Sequence, residues 1–376
     1  MNIRRSIQSK IEEVLFKNKV IIIYGARRTG KTTLVKAILE NFKDETRYIN
    51  CENLVNKEVL ETQNIEQLKA FLGNYKLIVL DEAQNINRIG HVLKLLVDTY
   101  PEIQIIATGS SSFDLANQTG EPLVGRSRSF LLYPLSIQEI TTEYDLLFVQ
   151  SKLENYLRFG LMPPVFGLSE QEAIEELNQI ASHYLYKDIL AFDGVKQSSL
   201  VQNLLKALAL QLGSEVSYRE LGELVSTSHQ TVARYIDLLE KCHIIFTLSS
   251  LSRNPRNEIK QGKKIYFYDL GIRNTLIQNY NILELRTDVG ALWENFCILE
   301  RMKLLQSRKQ FYNQYFWRSS TQKEIDYIEE YDGILHTFEF KWSTRKHPEQ
   351  PKLFAESYPQ STYDIINREN YWKYLI

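Results

Sequence analysis

The eight residues Gly25-Ala26-Arg27-Arg28-Thr29-Gly30-Lys31-Thr32 constrain this chain more than any other stretch. They fit G-x-x-x-x-G-K-[ST], follow the apolar run Val20-Ile21-Ile22-Ile23-Tyr24, and precede the helix-like Thr33-Leu34-Val35-Lys36-Ala37-Ile38-Leu39. Strand, glycine loop, helix is the context in which this spacing has a mechanism. The glycines let the loop curl until its N–H groups converge on phosphate oxygens, and the helix N-terminus adds partial positive charge. Lys31 is expected to neutralise β- and γ-phosphates, and Thr32 to offer its hydroxyl to Mg²⁺, which prefers hard oxygen ligands. Arg28, Thr29, Gly30 and Thr33 complete the expected nucleotide contacts.

A second apolar run, Leu77-Ile78-Val79-Leu80, ends in Asp81-Glu82. In an open parallel sheet such a strand delivers its acids to the C-terminal edge, beside the phosphate loop. Asp81 is therefore expected to hold Mg²⁺, through water, and Glu82 to polarise the attacking water. Hydrolysis follows as an expectation. A further run, Ile103–Thr108, leads into Gly109-Ser110-Ser111-Ser112, where Thr108 or Ser110 is placed to sense the γ-phosphate, or only to cap a turn. Arg126, after Leu123-Val124-Gly125, is the candidate finger reaching the γ-phosphate of a neighbouring subunit, with Arg128 as the alternative.

The 376 residues are ample for two or three domains. Hydrophobic residues at 44%, with 22 Tyr and 17 Phe, exclude a disordered chain. The longest apolar stretches fall far short of the roughly 20 residues a membrane span needs, and the N-terminus lacks an apolar signal-peptide core, so a cytoplasmic location without membrane contact is expected. Cys51, Cys242 and Cys297 are too few and too scattered for a disulfide framework or a zinc site. Lys and Arg (45) balance Asp and Glu (46), so attraction to nucleic acid has to come from local patches. One gathers Arg4, Arg5, Lys10, Lys17, Lys19, Arg27, Arg28 and Lys31; the other Arg253, Arg256, Lys260, Lys263, Lys264 and Arg273.

Strands are expected at Lys19–Tyr24, Thr46–Cys51, Lys76–Asp81, Ile103–Thr108 and Ser129–Tyr133, then a helical region over 136–210. Residues 217–241 read as helix, turn, helix with an apolar seam of Leu221, Leu224, Val232, Ile236 and Leu239. His229, Gln230, Thr231, Arg234 and Lys241 would face outward, as residue types that contact phosphates and base edges. A basic loop over 254–264 would then close as a wing. Near the C-terminus, Glu294 lies in a helix-like stretch, Asp326 in a strand, and Glu339 and Lys341 two apart on another strand, hence on one face. Two carboxylates plus a strand carbonyl suit Mg²⁺, and Lys341 suits orienting or deprotonating water.

Together Gly25–Thr33, Leu80–Gln84, Ala107–Ser112 and Leu123–Ser136 resemble the prokaryotic AAA-type ATPases that carry a C-terminal PD-(D/E)XK nuclease-like domain. The resemblance implies an α/β fold: a P-loop AAA-type parallel sheet of order 5-1-4-3-2 (residues 1–135), a helical lid (136–210), a winged-helix module (211–280) and a restriction-endonuclease-like domain (285–376). It implies ATP with Mg²⁺, a second metal site of Glu294, Asp326 and Glu339 taking Mg²⁺ or Mn²⁺, and DNA as partner. Arg126 acting in trans implies a closed homo-oligomer, by analogy a hexamer. The chain departs from its relatives' pattern at Gly160-Leu161-Met162-Pro163, which lacks a paired glycine before the proline. The expectation is thus an ATPase acting on duplex or branched DNA, with a metal-dependent nuclease domain; the alternative is a nucleotide-dependent switch whose C-terminal domain is a non-catalytic interaction module.

Overall fold

The computed structural model describes residues 3–42, 45–62, 64–110, 123–185, 198–252 and 262–376. Ser111, Ser112, Arg253, Arg256 and Lys260 lie outside the described residues. The chain divides into two compact units, Met1–Pro134 with Lys241–His243, and Leu135–Glu240 with Ile244–Ile376.

In the first unit the apolar runs become β1 (Val20–Tyr24), β2 (Thr46–Asn50), β3 (Leu77–Asp81), β4 (Gln104–Gly109) and β5 (Ser127–Leu131), all parallel, in the order β2-β3-β4-β1-β5. That is the order the resemblance implied, read from the opposite edge. β1, β3 and β4 are central and wholly or nearly wholly apolar, because helices cover both faces. One face packs Ile22, Ile49, Ile78 and Leu80 against the helix Ile89–Thr99; the other packs Ile21, Ile23, Leu77 and Val79 against the helices Ile7–Glu12 and Lys31–Glu40. β5 begins two residues earlier than expected, at an edge whose exposed Arg128 and Ser129 give no apolar signal.

The second unit opens with short helices from Ile137 to Gln179 and continues with the helix Ser198–Leu210. The expected helix pair is present as Tyr218–Leu224 and His229–Lys241. Ser228 caps the second helix, its Oγ accepting from Thr231 N at 3.2 Å. Gly222 permits the tight turn: a Cβ there would lie 2.7 Å from the carbonyl oxygen of Thr227. The seam holds Leu221, Val232, Ile236 and Leu239, with Tyr235; Leu224, placed there by spacing, is instead 65% exposed. It is the last residue of its seven-residue helix, where the apolar stripe has already run past its partner.

One seven-stranded sheet crosses the interval expected between modules. Its strands are β6 (Glu215–Val216), β7 (Ile245–Ser250), β8 (Lys263–Phe267), β9 (Asn313–Arg318), β10 (Glu324–Tyr331), β11 (Ile334–Phe340) and β12 (Thr362–Ile366), in the order β12-β11-β10-β9-β7-β8-β6. β7 pairs in parallel with β9 through Ser249↔Tyr315 and Ser250↔Phe316. A two-residue turn joins β10 to β11, with Asp332 at φ 52° and Gly333 at φ 75°, the double left-handed geometry that Asp-Gly favours. The helix Val289–Ser307 is buried over most of its length, its buried Arg301 and Lys303 paired with Glu329 and Glu300. All three cysteines are buried. Among the described residues no helix is long and apolar enough to cross a membrane.

Candidate functional site

The loop after β1 turns on two glycines, Gly25 at φ 152° and Gly30 at φ 94°. A Cβ on Gly25 would stand 2.4 Å from the Leu132 carbonyl oxygen, so only glycine lets the loop pass β5. Thr29 Oγ1 donates to the Ala26 carbonyl at 2.8 Å, and Arg5 donates to the carbonyls of Thr29 (2.7 Å) and Tyr133 (2.6 Å). Arg5 therefore braces the loop from inside and is no part of a solvated basic face. Lys31 Nζ donates to Gly25 O at 2.7 Å and Ala26 O at 3.0 Å, bonds it must give up to reach a phosphate. Arg28 and Thr33 are exposed at the loop, and Thr29 and Lys31 are buried.

Three hydroxyls converge on Asp81 at the end of β3. Thr32 Oγ1 donates to Oδ2 at 2.8 Å, Tyr48 Oη donates to Oδ2 at 2.5 Å, and Thr108 Oγ1 donates to Oδ1. The structure thus joins Thr32, Asp81 and Thr108, expected from three separate motifs, into one oxygen-rich cluster. Hard oxygens from a hydroxyl and a carboxylate suit Mg²⁺, so the residues fit that ion. Glu82, left-handed at φ 55°, donates its N–H to Thr108 Oγ1 at 3.1 Å, and its Oε2 accepts from Gln84 Nε2 at 2.5 Å. Ser110 is buried just beyond β4. Arg126 stands partly exposed, its Nε 2.7 Å from Asp98 Oδ1; the guanidinium pKa rises through that bond first. Arg128 is exposed on β5.

The sequence reading missed Tyr48. β2 pairs with β3 through Tyr48↔Val79 and Asn50↔Asp81, so Tyr48 sits diagonally one pair back on the face that Asp81 shares, and its long ring reaches forward. Partial burial, then Asp81, pushes its hydroxyl above the usual tyrosine range, so it remains a donor. Burial beside Asp81 and Glu82 likewise pushes the Cys51 thiol to about 12, leaving it unreactive at neutral pH.

The C-terminal acids also meet, with company the sequence did not announce. The register Tyr327↔Phe338 brings Asp326 beside Glu339. Asp326 Oδ2 accepts from Phe340 N at 2.8 Å, and Lys341 Nζ stands 3.5 Å from Asp326 and 2.6 Å from Glu339. Burial, then the Asp326 charge, raises the Glu339 carboxyl to about 7, and its Oε2 is buried without a hydrogen-bond partner. An orphaned oxygen aimed into such a group fits a two-carboxylate metal site at Asp326 and Glu339.

Glu294 feels the charge of Asp326, which after burial is the main cause raising its carboxyl, and it is also bonded from β8. Its Oε1 takes Tyr266 Oη at 2.5 Å and Lys264 Nζ at 3.1 Å, and Lys264 also pairs with Glu324. Among the described residues no group of three or more His, Cys, Asp or Glu is arranged to hold a metal ion. Lys264, assigned by composition to a DNA-facing wing, is 2% exposed on β8 and neutralises these acids from within. Arg273, counted in the same patch, is 2% exposed and paired with Asp288 at 2.5 Å. A run of Lys and Arg in sequence says nothing about which of them a strand or helix turns inward.

Comparison with known proteins divides along similar lines. Residues 17–141 match the AAA_14 family, described as an AAA domain, while 150–282 and 289–371 match the domains of unknown function DUF8612 and DUF4143. Residues 17–141 thus form a P-loop AAA domain. An uncharacterised protein of Mycobacterium tuberculosis is 27% identical over 342 residues, covering 90% of this chain and 74% of its own. Among solved structures, AMPPCP-bound DnaA from Aquifex aeolicus shares 18% identity at a TM-score of 0.31, covering 64% of this chain and 90% of its own. A Pif1 helicase from Candida albicans shares 16% at 0.29, over 48% of each chain, so this chain spans about half of that protein's length. With TM-scores this low the superpositions carry no argument.

Proposed function

We propose that this protein is an AAA-type ATPase that binds ATP with Mg²⁺ at Gly25–Thr33, hydrolyses it, and couples the cycle to duplex or branched DNA. One observation carries the reading: Thr32 of the phosphate loop and Asp81 of β3 are bonded at 2.8 Å, the pair a magnesium–triphosphate site requires. Thr32 and Asp81 would hold Mg²⁺, which would supply neutralisation of the phosphate charge. The loop N–H groups and Lys31 hold the phosphates, and Lys31 leaves its two loop carbonyls to do so. Glu82 orients and deprotonates the attacking water once its carboxylate turns from Gln84. Thr108, bonded to both Asp81 and the Glu82 backbone, reads the γ-phosphate, with Ser110 beyond it. Arg126 completes the site of a neighbouring subunit in a closed ring, by analogy a hexamer, after leaving Asp98.

The helix pair with β6, β7 and β8 reads as a winged-helix module. His229, Gln230 and Arg234, exposed on the second helix, face DNA. The Asp326, Glu339 and Lys341 group is proposed as a phosphodiester-cleaving site taking Mg²⁺ or Mn²⁺, where Lys341 orients the water and offsets developing charge. A second reading is favoured by Lys264: an ammonium already neutralises Glu294 and Glu324, as a domain kept for interaction alone would arrange them.

The test is calorimetry of ATP binding in magnesium buffer, followed by phosphate release. Lys31→Ala should abolish binding; Glu82→Gln should bind and not hydrolyse. No uptake of ATP by the wild-type protein would end the reading. Incubation with branched, linear and single-stranded DNA in Mg²⁺ or Mn²⁺ separates the two readings of the C-terminal domain: cleavage lost in Asp326→Ala supports the first, ATP-dependent association without cleavage the second.

A further inference from the structure

Asp81 Oδ2 is the oxygen that Thr32 bonds, so it is also the one facing an ion held by Thr32. Thr32 can keep donating its proton to Oδ2 while turning a lone pair toward a cation. Tyr48 has no such double use: its phenol proton takes another lone pair of that oxygen at 2.5 Å, and Thr108 engages Oδ1. Three of the four lone pairs of the carboxylate are thus committed, and the Tyr48 bond is the one whose loss costs the site no ligand. The tyrosine is held for this geometry. Its backbone is fixed in β2 by the register with β3, its ring lies under Lys36 Nζ at 5.4 Å from the centroid, and a 37% exposed ring has room to swing outward.

We propose that Tyr48 is a positioning residue of the nucleotide site that competes with Mg²⁺ for Asp81 Oδ2, and so sets the Mg²⁺ concentration at which ATP is taken up. The inference rests on the nucleotide reading above and adds the regulation of that site. In low Mg²⁺ the hydroxyl holds the carboxylate; as Mg²⁺ rises, the hydroxyl yields Oδ2 and the ring moves toward solvent.

The experiment is calorimetric titration of ATP at a series of MgCl₂ concentrations, with wild type, Tyr48→Phe and Tyr48→Leu, alongside ADP binding in EDTA and a circular-dichroism melt in EDTA. Removing the hydroxyl should lower the half-saturating Mg²⁺ by about threefold to tenfold, the range one net hydrogen bond commands, in both variants. ADP affinity in EDTA should not move, and the melt should shift slightly down. A residue that only props up the strand would give the opposite sign, a weaker response to Mg²⁺. A half-point unchanged or raised in Tyr48→Phe overturns the proposal while leaving the nucleotide site standing; wild-type protein that takes up no ATP at any Mg²⁺ overturns both.

Discussion

Replacing Lys264 by Met leaves Glu294 and Glu324 without their common cation. Lys264 is 2% exposed, its ammonium is 3.1 Å from Glu294 and paired with Glu324, and its Nζ lies 5.4 Å from the Phe316 ring centroid. Methionine fills nearly the same volume, so the change is one of charge. Removing one partner of a buried ion pair costs about 3–5 kcal/mol when the other stays charged. The acids here can escape part of that cost by taking up protons. Glu294 already titrates near 7, raised by burial first and then by Asp326, with Lys264 pulling the other way. A carboxyl whose folded pKa exceeds its unfolded value gives stability that is full below the unfolded value, about 4.5, and lost as pH rises through the folded value. Without Lys264 that upper edge moves higher still. The loss should therefore be small near pH 5, on the order of 1 kcal/mol, and approach about 3–5 kcal/mol near pH 8. Urea unfolding followed by tryptophan fluorescence suits the measurement, because all four tryptophans fall between 293 and 372. Adding Glu294→Gln to Lys264→Met should recover much of the alkaline loss. A loss under about 1 kcal/mol, equal at both pH values, would refute the account of Lys264 as the cation of this cluster.

Gly160→Ala should destabilise the second unit by about 1–3 kcal/mol or more, since a Cβ would fall 2.2 Å from Asp269 Oδ1 on a backbone at φ 73°; tryptophan-detected melting checks it. Asp269, buried and raised to about 6 mainly by that burial, contributes stability that is full below its ordinary value of 3.8 and lost as pH rises through 6; Asp269→Asn should flatten that slope, and parallel pH profiles of the two proteins would contradict it. Arg126→Ala should leave ATP affinity and melting temperature near wild type, because its partner Asp98 is an exposed one, while steady-state turnover falls steeply; equal loss of affinity and turnover would make Arg126 structural.

The nucleotide site was legible because local signals and topology agree there. Two glycines, a lysine, a threonine and a strand ending in acid occupy fixed places along the chain, and a parallel sheet carries strand ends to one edge whatever the loops do. Tyr48 was not legible, since its role depends on the register between β2 and β3, and a one-residue slip would turn it to the opposite face. Asp326, Glu339 and Lys341 could be placed from the period of two and a sequence separation that allows a hairpin; Lys264 and Tyr266 could not, because they reach the acids from β8, on the far side of β9 and β7. The departure at Gly160 has a local answer: Asp269 accepts from Leu161 N at 2.8 Å, and Gly271 lets the helix Leu270–Leu276 approach Phe159, where a Cβ would stand 2.1 Å from the carbonyl oxygen. A single glycine at 160, opposed by the Asp269 carboxylate, and a second glycine at 271 set the close approach here.

The continuous sheet changes what the C-terminal acids can be taken to answer to. β8 carries Lys264 and Tyr266 and also closes the ladder beside the helix pair 218–241, with β6 and β7 on its two edges. Glu294 is therefore neutralised by a strand that belongs with the helix pair, and Arg318 of β9 reaches both Glu324 and Glu215 of β6. Any displacement of β8 along β7 would move an ammonium relative to Glu294, Glu324 and Asp326 in a buried setting, where charge interactions are stronger than in water. Glu294, raised by burial and Asp326 and lowered by Lys264, is the carboxyl whose pKa such a change would move upward. One strand, β8, thus belongs both to the ladder beside the helix pair and to the surroundings of Glu294.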